Sequence, residues 1–423
     1  MKKKGWAIIA SICCLLPAIG CFLQGCAPAV REPARRPKLQ VIKVGLLVKV
    51  PGASVSSGGK VRFLSGSSGR DLLLDEDAHF KVAARRRGIS VLLDGKEVFR
   101  ASGTLFIKCE SRDEFLKLEG KPYRGDLRVI SSPDGLTFVN ELSIEEYLRG
   151  VVPNEMPSSS QDLLEAVKAQ AVAARTYALS RKGHYSDSGF DVLPTVQDQV
   201  YSGVLGEKPL SNRSIEETNG VVAAYHGEPI RANYSSTCGG RTSSPDEVWN
   251  QSKIPYLRSV KDRGRGHRKA FCGDSPHFRW QEVWSGEEFE AILDAFYPQY
   301  FPERSRTKIG ELCDLEVRER TKSGRVSKLL IRTTEGSLVL SGDRIRLVIR
   351  RPSLHSSILR STFFKIGTVK SNGRVKEIVM NGGGNGHGVG MCQWGAMGMA
   401  RAGYAFTDIL KHYYHGITLR RVY

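Results

Sequence analysis

One glutamate, Glu155, stands between two prolines in the stretch VVPNEMPSSS, residues 151–160. Proline fixes its own φ, and Pro157 biases Met156 toward extended backbone, so the Glu155 carboxylate is expected to lie on a stiff segment. A positioned catalytic acid or base needs such stiffness. The alternative is a surface carboxylate that helps the following helix to begin. The residues of this stretch leave both interpretations open.

A glycine-rich stretch, GGGNGHGVGMCQW at residues 382–394, is the second candidate for chemistry. No Gly-Lys-Ser/Thr follows it and the dinucleotide fingerprint is incomplete, so neither kind of phosphate loop is indicated. Glycines let a backbone approach a bulky ligand closely. His387, Gln393 and Trp394 would add hydrogen-bonding groups and a stacking face for a sugar. The alternative is a tight loop in which His387 only ties backbone carbonyls together.

Five cysteines lie outside the first 26 residues, widely spaced and without a C-x-x-C pair, so a disulfide scaffold is not indicated. Thiolate and imidazole groups suit zinc, and the nearest candidates are Cys238, Cys272, His267 and His277. A Cys238–Cys272 disulfide and two separate core cysteines are the competing interpretations. Cys392 is expected to be a packed residue, because no motif of a nucleophilic enzyme surrounds it.

The N-terminus predicts export. MKKKGWAIIASICCLLPAIGCFLQGC has three lysines, an apolar run and small residues before a cysteine, which is typical of a signal peptide over residues 1–26. The ending LQGC resembles a lipobox and predicts a lipid on Cys26, with Cys21 as a rival site. A plain cleaved signal and an uncleaved anchor are the alternatives. Residues 27–38 are rich in proline and arginine and predict a tether that holds the protein to a membrane of the cell envelope.

The exported chain is strongly basic. Lys+Arg 63 against Asp+Glu 44 gives a formal net charge of +19, which favours a polyanionic partner. Nucleic acid is not expected, because the chain carries an export signal and lacks basic residues interleaved with aromatic ones in a binding motif.

The predicted fold is α+β. Short β-like runs alternate with turns over residues 39–121 and predict a small β-rich domain, a spacer or an accessory binding module. Residues 122–423 predict a second domain of mixed strands and helices. A hairpin is expected in DLRVISSPDGLTFVNEL, turning at residues 133–135. A helix is expected over residues 160–182, capped by a serine among residues 158–160 and followed by Gly183.

Six motifs run in order from about residue 122 to the C-terminus. They are YRGDLRVISSPDGLTFVNELSIEEYLRGVVPNEMP, LLEAVKAQAVAARTYAL, STCGGRTSSPDEVW, PYLRSV, CGDSPHFRW and GNGHGVGMCQWGAMGMA. Together they resemble the SpoIID/LytB family, and the similarity does not extend to residues 39–121. The family includes peptidoglycan lytic transglycosylases, which cut glycan strands already stripped of stem peptides by an N-acetylmuramoyl-L-alanine amidase. It also includes proteins described as amidase enhancers.

The resemblance implies a role for Glu155, which occupies the family's catalytic E-M-P position. A protonated Glu155 would donate to the glycosidic oxygen between MurNAc and GlcNAc and then accept the proton of the MurNAc 6-hydroxyl, leaving a 1,6-anhydro end. Burial would raise the pKa of Glu155 for this task, whereas the N-terminus of the following helix would favour the anion. The alternative is a non-catalytic glycan-binding enhancer of an amidase, and Asp198 is the spare carboxylate for a two-carboxylate hydrolase.

The remaining expectations concern binding. The residues expected to line the glycan groove are Tyr201, Ser202, His387, Gln393 and Trp394. The mechanism requires no cofactor. Some family members bind zinc through clustered histidines and cysteines, and a structural zinc on Cys238, Cys272 and His277 is the metal site that the sequence leaves open.

Overall fold

The computed structural model describes residues 40–423, except residues 76, 87, 112, 265, 267, 303–307 and 353 and the side chains of 354–356. The predicted signal peptide, its Cys26, the tether and His267 lie outside the described residues. Lys38–Tyr423 forms one compact unit. Among the described residues, no helix combines the length and the apolar composition that a membrane crossing requires.

The first twelve strands form two six-stranded antiparallel sheets, in the orders β1-β12-β11-β8-β3-β4 and β10-β9-β2-β5-β6-β7. Their bounds are β1 Val41–Val50, β2 Gly52–Ser56, β3 Val61–Ser65, β4 Asp71–Leu74, β5 His79–Arg85, β6 Gly88–Leu93, β7 Lys96–Ala101, β8 Thr104–Cys109, β9 Leu116–Leu118, β10 Lys121–Tyr123, β11 Asp126–Ser132 and β12 Gly135–Ser143. Apolar and polar residues alternate along the strands and decide which face of a sheet is buried. In β5, Phe80 and Val82 are buried while His79 and Lys81 are exposed.

The predicted hairpin is confirmed as β11 and β12, which pair from Asp126↔Glu141 to Ser132↔Gly135. β12 also pairs with β1, and β11 pairs with β8, so strands from both sides of residue 121 share one sheet. The division into domains at that residue stays a prediction.

Thirteen further strands are described after residue 220. Their bounds are β13 Val221–Tyr225, β14 Glu228–Pro229, β15 Tyr234–Ser235, β16 Trp280–Ser285, β17 Leu312–Arg320, β18 Val326–Thr333, β19 Gly336–Ser341, β20 Arg350–Arg351, β21 Leu354–Ile358, β22 Phe364–Ser371, β23 Arg374–Gly382, β24 Met391–Cys392 and β25 Thr418–Arg421. The three-stranded sheets β16-β23-β22 and β17-β18-β19 surround a second hydrophobic core, which includes Trp284 and Phe289.

The α-helices of the described residues complete an α+β fold, as the sequence predicts. Their bounds are α1 Ile144–Glu155, α2 Leu164–Ser180, α3 Pro209–Glu217, α4 Pro245–Trp249, α5 Gly286–Tyr300, α6 Arg344–Val348, α7 Gln393–Arg401 and α8 Phe406–Tyr413. One contiguous core runs from the β1–β12 sheets through α1 and α2 to α7 and α8.

Helix α2 confirms the predicted helix, with a different start. A short 3₁₀ turn, Gln161–Leu163, precedes it. The Ser160 hydroxyl donates to the Asp162 carboxylate and caps no backbone amide, so the predicted serine cap is wrong. Small residues such as Ala173 and Ala174 are fully buried, which places α2 in the middle of the core.

Helix α1 is absent from the sequence-based prediction, although its start carries a clear signal. Ser143 and Glu146 form a reciprocal capping box: the Ser143 hydroxyl accepts from the Glu146 amide at 3.2 Å, and the Glu146 carboxylate accepts from the Ser143 amide at 3.1 Å. Pro153 lies inside the last turn of α1. The sequence suggests a stiff segment that begins at this proline, whereas the helix that starts at the capping box continues through it.

An ion pair fixes α1 against α2. Arg175 of α2 is fully buried, and its Nε and Nη2 atoms each lie 2.7 Å from an oxygen of Glu145 in the first turn of α1. A buried guanidinium needs this bidentate carboxylate, since an unpaired charge in the core costs several kcal/mol. The pair sets the direction in which α1 delivers its C-terminal residue, Glu155.

Candidate active site

A cleft with a volume of about 690 Å³ opens at the end of α1. Its walls come from Glu155, Tyr177, Trp249 and Ile358 and from residues 196–198, 200, 231, 233–236, 343, 346–347, 386–387 and 393. Strands β15 and β24 pair in parallel, with Tyr234 opposite Met391 and Ser235 opposite Cys392. This pairing brings two segments that are more than 150 residues apart in the chain to the same wall, so that Tyr234 and Gln393 both face Glu155.

Glu155 is the last residue of α1, and Pro157 determines that position. The residue before a proline avoids helical backbone, and Met156 is extended at φ −142° and ψ 134°. The helix therefore ends at Glu155, whose half-buried carboxylate lines the cleft. Sequence reasoning placed Glu155 on a loop ahead of the next helix; the structure places it at the C-terminal end of the preceding one.

Three donors hold the Glu155 carboxylate. Oε1 accepts from the Val200 amide and Oε2 accepts from Nε2 of Gln393, both at 3.3 Å. The Tyr234 side chain also hydrogen-bonds to the carboxylate. Two of the three contacts are long for hydrogen bonds, so they orient the carboxyl group without strongly favouring its ionised form.

Burial raises the pKa of Glu155 above its ordinary value, and the hydrogen bonds from Val200, Gln393 and Tyr234 oppose that rise. The end of α1 acts in the same direction as burial, because the carbonyl groups of a helix C-terminus disfavour a nearby anion. The sequence alone left open the balance between burial and the N-terminus of the following helix, and it did not include the C-terminal end of α1. A carboxylic acid with a raised pKa is suited to general acid catalysis.

Tyr234 is hydrogen-bonded to a chain of buried polar side chains. Nε2 of Gln199 donates to the Tyr234 hydroxyl at 2.9 Å, and the Tyr147 hydroxyl donates to Oε1 of Gln199 at 3.3 Å. Burial raises the pKa of Tyr234 well above its usual range, so its hydroxyl keeps its proton. Because that hydroxyl accepts from Gln199, its own proton is free to point at Glu155. Sequence reasoning missed both Tyr234 and Gln199.

Two further carboxylates line the cleft, and both accept hydrogen bonds from other residues of the protein. The Asp198 carboxylate accepts from the Tyr177 hydroxyl and Nε of Arg181 at 3.2 Å and from the Leu193 amide at 3.0 Å. Asp343 accepts from Nη1 of Arg346 at 3.0 and 3.3 Å. Among the cleft carboxyls that the structure describes, only Glu155 lacks an arginine partner.

His387 lines the cleft, and its ring also accepts a hydrogen bond from the backbone. Its Nδ1 accepts from the Val389 amide at 3.0 Å, which assigns the proton of the neutral ring to Nε2. Burial lowers the pKa of His387 to about 4, so the ring is neutral at physiological pH. The ring packs against Trp249, with centroids 5.0 Å apart. Arg231 lies over the same indole at 5.1 Å. Neither Arg231 nor Trp249 was predicted.

The structure does not bring the other predicted groove residues to the cleft. Tyr201 is buried, donates to Oδ1 of Asn140 at 2.9 Å and packs on Tyr147. Ser202 stands next to it, and its amide donates to the carbonyl of Gly150. Trp394 is half-buried on the far side of Gln393 and packs against the core.

Of the predicted metal ligands, Cys238 and Cys272 lie next to each other and His277 does not join them. The sulfur atoms of Cys238 and Cys272 lie 3.7 Å apart. His277 is not with them, since its Nδ1 accepts from Nη1 of Arg360 at 2.9 Å. Asp262 and Cys392 join the two cysteines instead.

The chain is similar in sequence to known proteins. A family model described as stage II sporulation protein, SpoIID, matches residues 132–225, and a domain of unknown function matches residues 243–390. Stage II sporulation protein D of Bacillus amyloliquefaciens is 31% identical over 297 residues, which are 66% of this chain and 75% of that protein. The chain belongs to the SpoIID family.

Other relatives of this SpoIID protein carry different descriptions. An uncharacterised protein of Brachyspira hyodysenteriae is 35% identical over 311 residues, covering 73% of this chain and 75% of that protein. The amidase enhancer of Bacillus subtilis is 32% identical over 293 residues, covering 64% of this chain and 40% of the enhancer. In this SpoIID protein the family match contains Glu155 and Gln199, whereas His387 lies in the second matched region.

Because the pKa of Glu155 is raised in the folded protein, we expect ionisation of this residue to destabilise the folded state. The folded state favours the protonated carboxyl, so this contribution to stability is fully present below the ordinary value of 4.5 and is lost as pH rises through the folded pKa. Glu155→Gln cannot ionise. We therefore expect the free energy of unfolding of the wild type, measured by urea denaturation of the full-length protein, to fall relative to that of Glu155→Gln as pH rises through this window.

Gln393→Met is the control for this measurement. It removes a donor to the carboxylate, so the pKa of Glu155 rises further and the window moves to higher pH. A stability difference between wild type and Glu155→Gln that does not change with pH would contradict the raised pKa.

Proposed function

We propose that this SpoIID protein is a peptidoglycan lytic transglycosylase that cuts the MurNAc–GlcNAc bond of amidase-denuded glycan strands. The observation that carries the proposal is the lone carboxyl without an arginine partner, Glu155, held in an open cleft with a raised pKa. Ordinary glycosidases need two working carboxylates on opposite faces of the sugar. Asp198 and Asp343 already accept hydrogen bonds from arginines, which leaves Glu155 to act alone.

In the first step, the protonated carboxyl of Glu155 donates its proton to the glycosidic oxygen as the bond from C1 of MurNAc to that oxygen breaks. The GlcNAc-bearing strand leaves as an alcohol, and positive charge develops at C1. The newly formed carboxylate of Glu155 stabilises this charge, with Gln393 and Val200 holding its two oxygens.

In the second step, the same carboxylate accepts the proton of the MurNAc 6-hydroxyl as its oxygen attacks C1. A new C1–O6 bond closes the 1,6-anhydro ring, and Glu155 returns to its protonated form. No water is consumed and no cofactor is needed. Tyr234 donates to the carboxylate through the whole cycle, because Gln199 fixes the direction of its hydroxyl.

Arg231 supplies the preference for denuded strands. Removing a stem peptide frees the lactyl carboxylate of each MurNAc and turns the glycan into a polyanion. Arg231 lines the cleft, its Nη1 donates to Oε1 of Gln251 at 3.0 Å, and none of the described carboxylates forms an ion pair with it. A guanidinium without a carboxylate partner is suited to a bound carboxylate, and the Trp249 indole beneath it supports its position.

The site of action that we propose is the cell envelope. The basic charge of the chain, its signal-like N-terminus and the lipobox cysteine Cys26 support an exported, membrane-tethered enzyme. An N-acetylmuramoyl-L-alanine amidase is the proposed partner, because it would prepare the substrate.

The second candidate function is a non-catalytic enhancer of such an amidase. It is favoured by one finding, the similarity to a protein named amidase enhancer. An enhancer would keep the glycan cleft, but an ionisable residue at position 155 would have no part in its work.

Replacing Glu155 by Gln separates the two functions. Because Glu155 acts as both acid and base, we expect the release of soluble fragments from denuded glycan by the full-length protein to fall by about 10³-fold or more. Binding of the same glycan should change little, since glutamine keeps the size and the polar character of the side chain. Fragment release measures the first quantity and co-sedimentation with insoluble glycan the second.

Glu216→Gln is the matched control, because Glu216 is exposed and only pairs with Arg149 at 3.2 Å. It should cut glycan at the wild-type rate. A Glu155→Gln protein that also cuts at the wild-type rate would refute the proposed role of Glu155. If wild type and Glu155→Gln release nothing and stimulate an amidase equally, the enhancer function is correct.

Replacing Arg231 by Gln tests the proposed preference for denuded glycan. The loss of one charge-assisted contact should raise KM for denuded strands by about tenfold or more, with little change in kcat. KM should also become less sensitive to salt. Arg258→Gln, an exposed arginine outside the cleft, is the control and should leave KM unchanged. An unchanged KM in Arg231→Gln would show that another group binds the lactyl carboxylate.

A further inference from the structure

Three cysteines and one aspartate meet in the core behind the cleft. The sulfur atoms of Cys238, Cys272 and Cys392 and a carboxylate oxygen of Asp262 all lie within 4.8 Å of one another. All four residues are buried, with exposed fractions of 1% or less. They come from chain segments up to 154 residues apart, so the cluster exists only in the folded protein.

Close packing of α7 brings Cys392 to the other three residues. Cys392 is the N-cap residue of α7, and Cys272 lies in a 3₁₀ turn, Phe271–Asp274. A Cβ at Gly395 would stand 2.4 Å from Oδ1 of Asp262, and one at Gly398 would stand 2.1 Å from the Phe271 carbonyl. Glycine at both positions therefore lets the helix approach the turn.

The separation of the sulfur atoms fits a shared metal ion better than a covalent bond. The 3.7 Å between the sulfurs of Cys238 and Cys272 is far above the S–S length of a disulfide, about 2.05 Å. Two thiolates bound to one zinc at about 2.3 Å in a tetrahedron stand about 3.8 Å apart. The observed distance matches the second arrangement.

Neighbouring donors hold the ligand atoms of the cluster. Asp262 accepts from the Tyr413 hydroxyl at 2.5 Å and from the Cys272 amide at 3.0 Å, but no described lysine or arginine pairs with it. The sulfur of Cys392 accepts from the backbone amides of Cys238 at 3.2 Å and Gly395 at 3.3 Å, contacts that would also hold a metal-bound thiolate. Ionising these buried groups is costly unless a positive charge compensates them, and a bound cation would supply that charge.

A buried arginine stands next to the cluster. Arg325 is 2% exposed, its Nη2 donates to the Cys238 carbonyl at 3.1 Å, and no described carboxylate forms an ion pair with it. One zinc ion bound by three thiolates and a carboxylate carries a net negative charge, and the positive charge of Arg325 would offset part of it.

We propose that Cys238, Asp262, Cys272 and Cys392 bind one structural zinc ion. Three soft sulfur ligands favour zinc over magnesium or calcium, and four protein ligands in a buried site leave no position for water or substrate. This site goes beyond the proposed glycan chemistry and does not depend on it. It also replaces His277, which the sequence suggested as a ligand, by Asp262 and Cys392.

The zinc would hold one wall of the cleft in place. Cys392 directly precedes Gln393, which donates to Glu155, and the Cys238 segment continues from Tyr234 and Ser236. Fastening these two segments to the Phe271–Asp274 turn fixes the spacing between Gln393 and Tyr234. Removal of the metal should therefore lower thermal stability and loosen the two side-chain donors to Glu155.

Metal analysis of the full-length protein, purified without added metal, tests the site without an activity assay. We expect about one zinc per chain. Cys272→Ala and Cys392→Ala should lose it, whereas Cys313→Ala, a half-buried cysteine on β17, should keep it. Wild-type protein reconstituted with cobalt should show intense thiolate-to-cobalt charge-transfer absorption, a measurement that needs no variant to fold.

Four results would overturn the site. They are a wild-type protein without bound metal whose thiols are all free, a Cys238–Cys272 disulfide found in unreduced peptides, bound metal that survives both alanine substitutions, and cobalt that binds without charge-transfer absorption, which would exclude thiolate ligands. None of these outcomes bears on whether Glu155 cuts glycan.

Discussion

The site depends on one constraint: the half-buried, ionisable carboxyl of Glu155 lies at the C-terminal end of a helix and lines the cleft. Burial raises the pKa of Glu155, and long hydrogen bonds from Val200 and Gln393 orient the carboxyl group. The carbonyl groups at the end of α1 disfavour a nearby anion and so act in the same direction as burial. Pro157 ends α1 at this residue, and the buried Arg175–Glu145 pair directs the helix. The rest of the fold serves to raise the pKa of this carboxyl, to orient it and to leave it open to a large ligand.

Elements with a strong local pattern could be predicted from the sequence. The β11–β12 hairpin follows from alternation and its turn, and α2 follows from its apolar, small-residue face. Helix α1 was missed because Pro153 and Pro157 were read as stiffening a segment ahead of the next helix, although Ser143 and Glu146 carried a capping-box signal. The omission mattered, since the carbonyl groups at the end of α1 lie beside Glu155.

The site was predictable only in part, for a similar reason. Glu155 stands in a short motif, and His387 and Gln393 lie in a conspicuous glycine-rich stretch, so local sequence was enough to select them. Tyr234 and Arg231 reach the cleft only through the parallel pairing of β15 with β24, a long-range contact that no local pattern encodes. The cysteine cluster depends in the same way on the packing of α7.

The central claim, that a single carboxyl serves as acid and then as base, is tested most directly by the chemistry of the new glycan ends. Wild-type full-length protein would be incubated with amidase-denuded and with intact peptidoglycan, and the released fragments identified by mass spectrometry. The account predicts 1,6-anhydroMurNAc ends, formed from the denuded strands. Reducing MurNAc ends would contradict it, because water would then have attacked C1 and a second carboxylate would have to activate that water.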